Sequence, residues 1–430
     1  MHNGLLSKPA NPPMPAVLDL DQRAPAFRDA LATLQASRPA APTADEGWWS
    51  QVHRHYDVAR EPVNLENGFW GPMAEPVKAE YERLTTFINR HNAHWVRREW
   101  PQALEALRVR VARSLGCGHD ELVLVRGASE AMQVLIQGYR GLAAGDTVLY
   151  CDLDYPAMRA AMAFLRERRG VNAVRLAIPE PATREAVLAT YRQALHEHPR
   201  VRLVLLTHLS HSTGLVMPVR ELTTMIEAAG ADVVVDAAHS WGQMAFDAPD
   251  LGAPFAAFNL HKWVGAPLGC AVLYIRRDRL DAIEAPFAGL DFGADDIRSR
   301  LYGGTPNFAA WLTLPAALDW HETIGVAHKA ARLRHLRDAW VGPARTLPGM
   351  QILTPDEPGM VAGITSFRLA GRTSTADNQA LARALLEHHG VFTVQRSGPV
   401  AGDVVRVTPG LHTTDAEIDR LVVGLRQLLG

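Results

Sequence analysis

Seven short apolar runs alternate with amphipathic segments between Glu121 and Arg277, and this alternation limits the possible folds more than any other feature. The runs are ELVLVRG, TVLYCD, NAVRLAI, VRLVLLTHL, DVVVDAAH, AAFNLHK and GCAVLYIRR. Segments with helical periodicity, such as SEAMQVLIQGYRGL and VRELTTMIEAAG, fill the gaps. Nearly continuous apolar strands separated by helices are typical of a parallel sheet covered on both faces. The sequence therefore predicts an α/β fold with a mostly parallel, seven-stranded sheet.

The chain changes character on either side of this region. Residues 1–43 are rich in Pro and Ala, and DQRAPAFRDALATLQAS predicts one helix with little core, so we expect a flexible or partner-wrapping arm. Residues 44–325 are expected to form a large domain that begins with a helical segment. Residues 326–430 combine helices with the runs GITSFRLAG, FTVQRSG and DVVRVTP, which predicts a small C-terminal α+β domain.

Composition and charge narrow the classes of partner. The formal net charge is -2, which gives no electrostatic reason to expect nucleic acid or an anionic membrane. The three cysteines are far apart without CxxC spacing, so no disulfide framework is expected. We see neither an export signal nor a run of about 20 apolar residues, and the cytoplasm is the expected location.

Lysine is rare in this chain, and one lysine has an unusual position. Only four of the 44 basic residues are lysines. Lys8 lies in the leader, Lys78 in a charged helical segment, and Lys329 beside basic residues on a predicted helix. Lys262, in FNLHKWVGAPLG, instead follows an apolar strand. Because a guanidinium cannot form an imine, an amine at this position indicates Schiff-base chemistry.

Polar residues at two other strand ends suit the same chemistry. RGASEAM begins a helix, so that Ala128 and Ser129 lie where free backbone N–H groups bind anions. VVVDAAHSWG leaves Asp236 at the mouth of a buried strand, with His239 three residues later. Considered separately, Ser129 could lie at an ordinary helix start, Asp236 could begin a turn, and His239 could be a buried core histidine. With Lys262 they match a cofactor that has a phosphate, a ring nitrogen and an aldehyde, which is pyridoxal 5'-phosphate (PLP).

These motifs resemble the class V aminotransferase superfamily of fold-type-I PLP-dependent enzymes, and within it the isopenicillin N epimerase-like branch. The resemblance extends from NLENGFWG to the C-terminus. It implies that Lys262 forms the Schiff base, that Asp236 pairs with the pyridine nitrogen, and that His239 contacts the phenolic oxygen. It also implies phosphate ligands, which here would be Ser129, His261 and Asn259. The last of these stands where the family has serine or threonine.

Three further segments resemble parts of the family's cofactor site. CDLDYPAM nominates Tyr155 for stacking on the PLP ring, with core packing as the alternative. HLSHSTGLVMPV places His211 where many relatives have an asparagine that faces a cofactor oxygen. LYGGTPNFAAW resembles a Gly-Thr loop that reaches the phosphate of the neighbouring subunit, which nominates Thr305 and implies a homodimer.

The substrate residues are also expectations from the resemblance. Arg396 in QRSG and Arg406 in DVVRVTPGLHTT fall where the family places arginines of its small domain. The planar fork of Arg406 suits a substrate carboxylate, whereas either arginine could instead be a solvated surface residue. NLENGFWG adds Asn67 as a further candidate for substrate binding.

Other classes of protein fit the sequence less well. Eighteen histidines, including His208 and His211, invite a zinc hydrolase, but no acidic or cysteine ligand lies nearby in sequence, and we expect no metal. An NAD(P) enzyme would need more glycines than RGASEA supplies. A catalytically inactive PLP-fold binding module is disfavoured because both the lysine and the aspartate are present.

The reaction type is left open by the sequence. Epimerisation, transamination and β-elimination all begin with removal of the Cα proton. No cysteine follows Cys270, so persulfide chemistry is not expected. We expect an enzyme of epimerase or aminotransferase type that tailors an amino acid or an amino-acid-derived specialised metabolite. A PLP-dependent C–S lyase is the alternative enzyme.

Overall fold

The N-terminal part of the chain packs on the body of the protein. The computed structural model describes Leu18 and residues 23–42, 45–286 and 291–429. The first elements are α1 (Pro25–Ser37), α2 (Glu46–His53) and β1 (Val63–Asn64). On α1, Phe27 and Leu34 are each only 1% exposed and belong to the main hydrophobic core. The expectation of an arm with little core is therefore wrong for α1, because its two large apolar residues recur on one face. Residues 1–17, 19–22 and 43 of the expected arm lie outside the described residues.

A long helix, α3 (Glu75–Leu115), follows and is interrupted at Asn92, whose φ is 51°. Its first and last parts are buried through residues such as Leu84 and Leu107, while residues 90–94 between them are exposed. No helix in the described ranges has both the length and the hydropathy needed to cross a membrane.

All seven apolar runs form strands of one sheet, as predicted. Strands β2–β8 span Leu122–Val125, Thr147–Cys151, Asn172–Leu176, Val201–Thr207, Asp232–Asp236, Phe255–Asn259 and Ala271–Ile275. Their order in the sheet is β2-β8-β7-β6-β5-β3-β4. Only β8 runs antiparallel to its neighbours β2 and β7. The sheet is therefore mostly parallel, and the carboxyl ends of β3, β5, β6 and β7 lie along one edge.

Helices cover both faces of this sheet because successive strand residues point to opposite sides. They are α4 (Ala128–Gln137), α5 (Pro156–Arg169), α6 (Arg184–Glu197) and α7 (Val219–Ala228). On β5, Leu203 belongs to the core beneath α4 and α5, whereas Val204 belongs to the main core beneath α6 and α7. Both faces are thus buried, which explains the lack of apolar–polar alternation in the strands.

The C-terminal region forms a second sheet with its own core. Its elements, after α8 (Phe308–Leu312) and α9 (Leu314–Ile324), are α10 (Val326–Ala344), β9 (Met350–Ile352), β10 (Thr365–Leu369), α11 (Thr375–His389), β11 (Val391–Phe392), β12 (Val394–Arg396), β13 (Val404–Val407) and α12 (Asp415–Leu429). The antiparallel order is β12-β13-β10-β9. Strand β1 pairs with β11, and Val63 and Leu65 enter this C-terminal core. The division at residue 326 stays a prediction, with residues 63–65 packing on the C-terminal side.

Candidate active site

A cavity of about 520 Å³ lies at the sheet edge where the parallel strands end. Tyr155 follows β3, while Thr207, Asp236 and Asn259 are the last residues of β5, β6 and β7. The opposite wall comes from the C-terminal sheet. Of the thirteen candidate residues, eleven line the cavity: Ala128, Ser129, Tyr155, His211, Asp236, His239, Asn259, His261, Lys262, Arg396 and Arg406. Parallel strands present their carboxyl ends together, so residues far apart in sequence meet here.

Lys262 has the properties of a reactive amine. Its Nζ lies 2.8 Å from Nε2 of His239. Burial lowers the pKa of Lys262 to about 7, against the opposing attraction of Asp236, and the positive charge of Arg406 lowers it further. The backbone here is closely held, since a Cβ on Gly71 would lie 2.2 Å from the Lys262 carbonyl oxygen. Glycine at position 71 therefore permits this close approach.

Asp236 and His239 form the buried floor of the site. One carboxylate oxygen of Asp236 accepts the Ala238 N–H at 3.0 Å. Burial raises the pKa of Asp236, an effect partly offset by that hydrogen bond and by Lys262. Burial also holds the pKa of His239 well below its usual 6.5. A cationic partner, such as a protonated ring nitrogen, would stabilise the ionised form of this buried carboxylate.

The N-terminus of α4 forms the end of the cavity suited to an anion. The Ala128 N–H is not free there, because Asn259 Oδ1 accepts it at 2.9 Å. Asn259 thus ties α4 to β7, while Ser129 is exposed at the cavity. Nδ1 of His261 lies 3.0 Å from the Cys270 carbonyl and must donate to it, because a carbonyl only accepts. Neutral His261 therefore presents an acceptor at Nε2, and a phosphate would have to bind its protonated form.

Tyr155 and His211 contact each other beside Lys262. Their rings meet edge to face with centroids 5.2 Å apart, and Tyr155 is 42% exposed. His211 is buried, and its Nδ1 has no hydrogen-bond partner among the described residues. The loop carrying Tyr155 is fixed by buried Asp154, which accepts the Thr207 hydroxyl at 2.6 Å. Burial raises the pKa of Asp154 to about 7.

The arginines of the C-terminal sheet share an acidic partner that the sequence analysis missed. Arg406 donates to Glu66 and, at 2.5 Å, to the His211 carbonyl. Arg396 donates to the same Glu66 oxygen at 2.9 Å. Arg406 is 2% exposed, so the alternative of a solvated surface residue is wrong for it. The one feature of the sequence that pointed to Glu66 was its position beside the candidate residue Asn67 in NLENG.

Two candidate residues do not reach the cavity wall. Asn67 uses its amide to donate to the carbonyls of Asn64 and Thr408, at 3.1 and 3.0 Å, which makes it a brace between β1 and the residue after β13. Thr305 is exposed and lies away from this chain's cavity. Its contact with a neighbouring subunit stays a prediction.

Lys329 differs most from its sequence interpretation. It is buried rather than solvated, and burial lowers its pKa to about 7. Its Nζ donates to the carbonyl of Trp263 and lies 2.9 Å from His321 Nδ1. Helical periodicity did not reveal this because basic residues surround Lys329 in sequence, whereas its partners come from other segments.

Among the described residues, the pair His208 and His211 and the three cysteines do not form a metal centre. His208 packs against Phe246 with ring centroids 4.9 Å apart, while His211 packs against Tyr155. Within the described ranges no group of three His, Cys, Asp or Glu side chains could hold a metal. The three cysteines are free and none lines the cavity; burial raises the pKa of Cys117 to about 12.

The residues present fit the cofactor that the resemblance implies. The orphaned Nδ1 of His211 and the orphaned Nε of Arg406 are both buried, and both residues line the cavity. An amine with a lowered pKa, a buried carboxylate and an anion-binding helix terminus are arranged around the same space. A ligand with acceptor oxygens, a cationic ring nitrogen and a phosphate would satisfy these groups.

Comparisons with known proteins agree with this geometry. The family model described as "Aminotransferase class-V" matches residues 73–421. The chain is 30% identical to isopenicillin N epimerase of Streptomyces clavuligerus, over 89% of this chain and 98% of that one. It is 26% identical to a probable cysteine desulfurase of Vibrio cholerae, over 80% and 89%. A structure of C-DES with glycine linked to its PLP cofactor aligns with a TM-score of 0.74 at 22% identity, over 90% and 100%. The chain belongs to the class V aminotransferase family.

Proposed function

We propose that this PLP-dependent enzyme of the class V family removes the Cα proton of an amino acid or an amino-acid-derived metabolite, with epimerisation as the favoured outcome. The observation that carries the proposal is the meeting of Lys262, Asp236 and Arg406 in one cavity. The similarity to isopenicillin N epimerases over nearly the whole chain supports epimerisation over transamination.

Each residue has a role that follows from its chemistry. PLP, when bound, accepts the negative charge that develops at the substrate Cα. Asp236 would hold a proton on the ring nitrogen, because a cationic partner stabilises its buried carboxylate. Arg406 binds the substrate α-carboxylate with the part of its guanidinium that Glu66 and His211 leave free. Lys262, with its lowered pKa, takes the Cα proton at Nζ.

Epimerisation requires a proton donor on the second face of the substrate. His211 and Tyr155 are the candidates, since both line the cavity with Lys262. His211 is favoured because its Nδ1 is free of any partner within the described ranges. Burial holds the pKa of His211 well below 6.5, which favours its neutral form. His211 would therefore pass on a proton that it receives from Tyr155 or solvent.

The decisive experiment follows candidate amino acids and peptides in deuterium oxide by chiral chromatography and mass spectrometry. Epimerisation predicts a stereochemically inverted product carrying one deuterium at Cα. Replacing His211 with Gln should slow inversion while deuterium exchange with retention continues, because only the second face is affected. Product without deuterium, together with no amino transfer and no leaving group, would contradict the proposal.

A PLP-dependent C–S lyase is the second candidate. Similarity to C-DES, a cystine C–S lyase, supports it. A lyase needs no protein cysteine, in contrast to persulfide transfer, and the three cysteines of this chain lie away from the cavity. Incubation with cystine should release pyruvate, ammonia and a persulfide if this candidate is right. An inactive binding module would give neither elimination nor exchange.

We also propose that the active form is a homodimer. Aromatic side chains are exposed near the cavity mouth and on the Thr305 loop, namely Phe69 (70%), Trp70 (47%) and Tyr302 (57%). The rings of Phe69 and Trp70 have centroids 5.0 Å apart, and large exposed apolar groups that occur close together indicate an interaction surface. Thr305 would then reach the cavity of the second copy, as the family resemblance implies.

A further inference from the structure

We propose that Trp263, the residue after Lys262, is a positioning residue that holds His239 in the tautomer with its proton on Nε2. The indole Nε1 of Trp263 donates to His239 Nδ1 at 3.4 Å. An indole nitrogen can only donate, so His239 Nδ1 must be the acceptor in this pair. A neutral imidazole carries one proton, which therefore resides on Nε2.

The environment of His239 keeps the ring neutral. Burial is the largest effect that lowers its pKa, and the nearby positive groups Lys262, Arg406 and Arg396 lower it further, with His211 beside them. A second proton is therefore strongly disfavoured. The remaining choice is between two neutral tautomers. Trp263 favours the one with its proton on Nε2, and the neutral form of Lys262, which accepts that proton in a hydrogen bond, favours the same one, so the assignment holds at pH values above the Lys262 pKa of about 7.

The selected tautomer directs a donor into the cavity. His239 Nε2 lies 2.8 Å from Lys262 Nζ, so its N–H points to the lone pair of the neutral amine. When a ligand engages the amine, the same N–H is available to an acceptor oxygen beside it. The opposite tautomer would present a lone pair to that oxygen and repel it. This consequence for cofactor binding rests on the proposed function, whereas the tautomer itself does not.

Trp263 is itself held from its backbone side. Buried Lys329 donates to the Trp263 carbonyl and pairs with His321 Nδ1 at 2.9 Å. On the other side, a Cβ at Gly242 would lie 2.6 Å from the Trp263 carbonyl carbon, so only glycine allows this approach. The second buried lysine therefore has a structural role: it fixes the segment that carries both Lys262 and Trp263.

The test reads the protonated nitrogen directly by NMR of full-length protein labelled with nitrogen-15 only in histidine. The His239 signals are assigned by their loss in His239→Gln, and spectra are recorded with and without PLP. We expect Nε2–H in the wild type. Replacing Trp263 with benzothienylalanine, which keeps the ring shape but lacks the N–H, should give a mixture of tautomers. Trp311→Phe, which removes an indole bond to the Gly269 carbonyl, should leave the His239 signals unchanged.

PLP affinity provides a second readout. Loss of the indole donor should weaken PLP binding by about tenfold, the effect of one hydrogen bond. In the His239→Gln background the same change should have no effect on PLP affinity. The glutamine amide offers an N–H donor without a choice between tautomers. The inference would be overturned if the wild type carried the His239 proton on Nδ1 or carried two protons. It would also be overturned if the losses of PLP affinity were additive in the double variant. An Nε2–H result would sustain it even if the deuterium experiment contradicted the proposed reaction.

Discussion

At the scale of single residues, the reactivity of Lys262 depends on burial. An ordinary lysine is almost fully protonated at neutral pH, whereas a pKa of about 7 leaves a large neutral fraction. The groups facing the amine have opposing effects: Asp236 and Glu66 raise the pKa, and Arg406 and Arg396 lower it. Desolvation is the largest of these effects, so burial accounts for the nucleophilic amine.

This pKa predicts a specific pH profile for covalent capture of PLP. Only the neutral amine reacts, so the capture rate should rise about tenfold per pH unit below 7 and level off above it. The rate is followed by visible absorbance and divided by that of free N-acetyl-lysine, which cancels the ionisation of PLP itself. Because the rate of the free amine also rises about tenfold per pH unit in this range, the ratio should be constant below pH 7 and fall about tenfold per unit above it.

Two substitutions complete this test. Lys262→Arg should abolish capture, and Lys78→Arg, on an exposed lysine paired with Glu75, should leave the profile unchanged. Another amine would be the nucleophile if the slope of the relative capture rate against pH did not change near pH 7. Capture of PLP by Lys262→Arg would show the same.

Arg406 is the residue on which carboxylate recognition should depend. Arg406→Lys should lower kcat/KM for the true α-carboxylate substrate by about 10- to 100-fold, since a point ammonium cannot reproduce a bidentate, charge-assisted pair. The loss should be absent with the matching amine that lacks the carboxylate. Arg396→Lys is the matched control, with a smaller expected effect because Arg396 is partly exposed. Equal losses for both substrates would remove Arg406 from carboxylate binding.

At the scale of elements, helix α1 should contribute directly to stability. Phe27 is buried in the main core, and Arg23 lies over its ring at 5.0 Å while pairing with Asp319. Phe27→Ala should therefore lower the free energy of unfolding by about 3–5 kcal/mol. Gln35→Ala, on the exposed face of the same helix, should change it by less than about 0.5 kcal/mol. Chemical denaturation measures both, and equal small effects would mean that α1 docks without contributing.

At the scale of the whole molecule, the assembly should determine cofactor retention. We expect a homodimer by analytical ultracentrifugation, and Thr305→Val should weaken PLP binding by about tenfold because it would remove the proposed hydrogen bond to the phosphate in the neighbouring subunit. Thr346→Val, at an exposed site after α10, is the matched control. A stable monomer that still binds PLP tightly would contradict both the dimer and the shared site.

Local patterns in the sequence were sufficient for the sheet and for the lysine, the aspartate and the helix start of the cavity, whereas the family resemblance supplied most of its other residues. The seven strands could be predicted because burial on both faces makes each a short apolar run. Asp236 and Lys262 could be predicted because one ends such a run and the other follows one, and parallel strands end at one edge. Tyr155 was nominated by the family resemblance. The family resemblance added Arg406, which periodicity alone could not have distinguished from a surface arginine.

Only the tertiary structure determined which groups act on these residues. Glu66 meets Arg406 from 340 positions away, and Lys329 reaches the Trp263 carbonyl from 66 positions away. Neither local sequence shows which residue the side chain will contact. The pKa of Lys262 and the tautomer of His239 depend on burial and on hydrogen-bond partners brought together by folding. The sequence by itself determined the fold and the chemical types at the strand ends, whereas their protonation and orientation come from long-range contacts, because electrostatic and hydrogen-bond energies depend on distance in space.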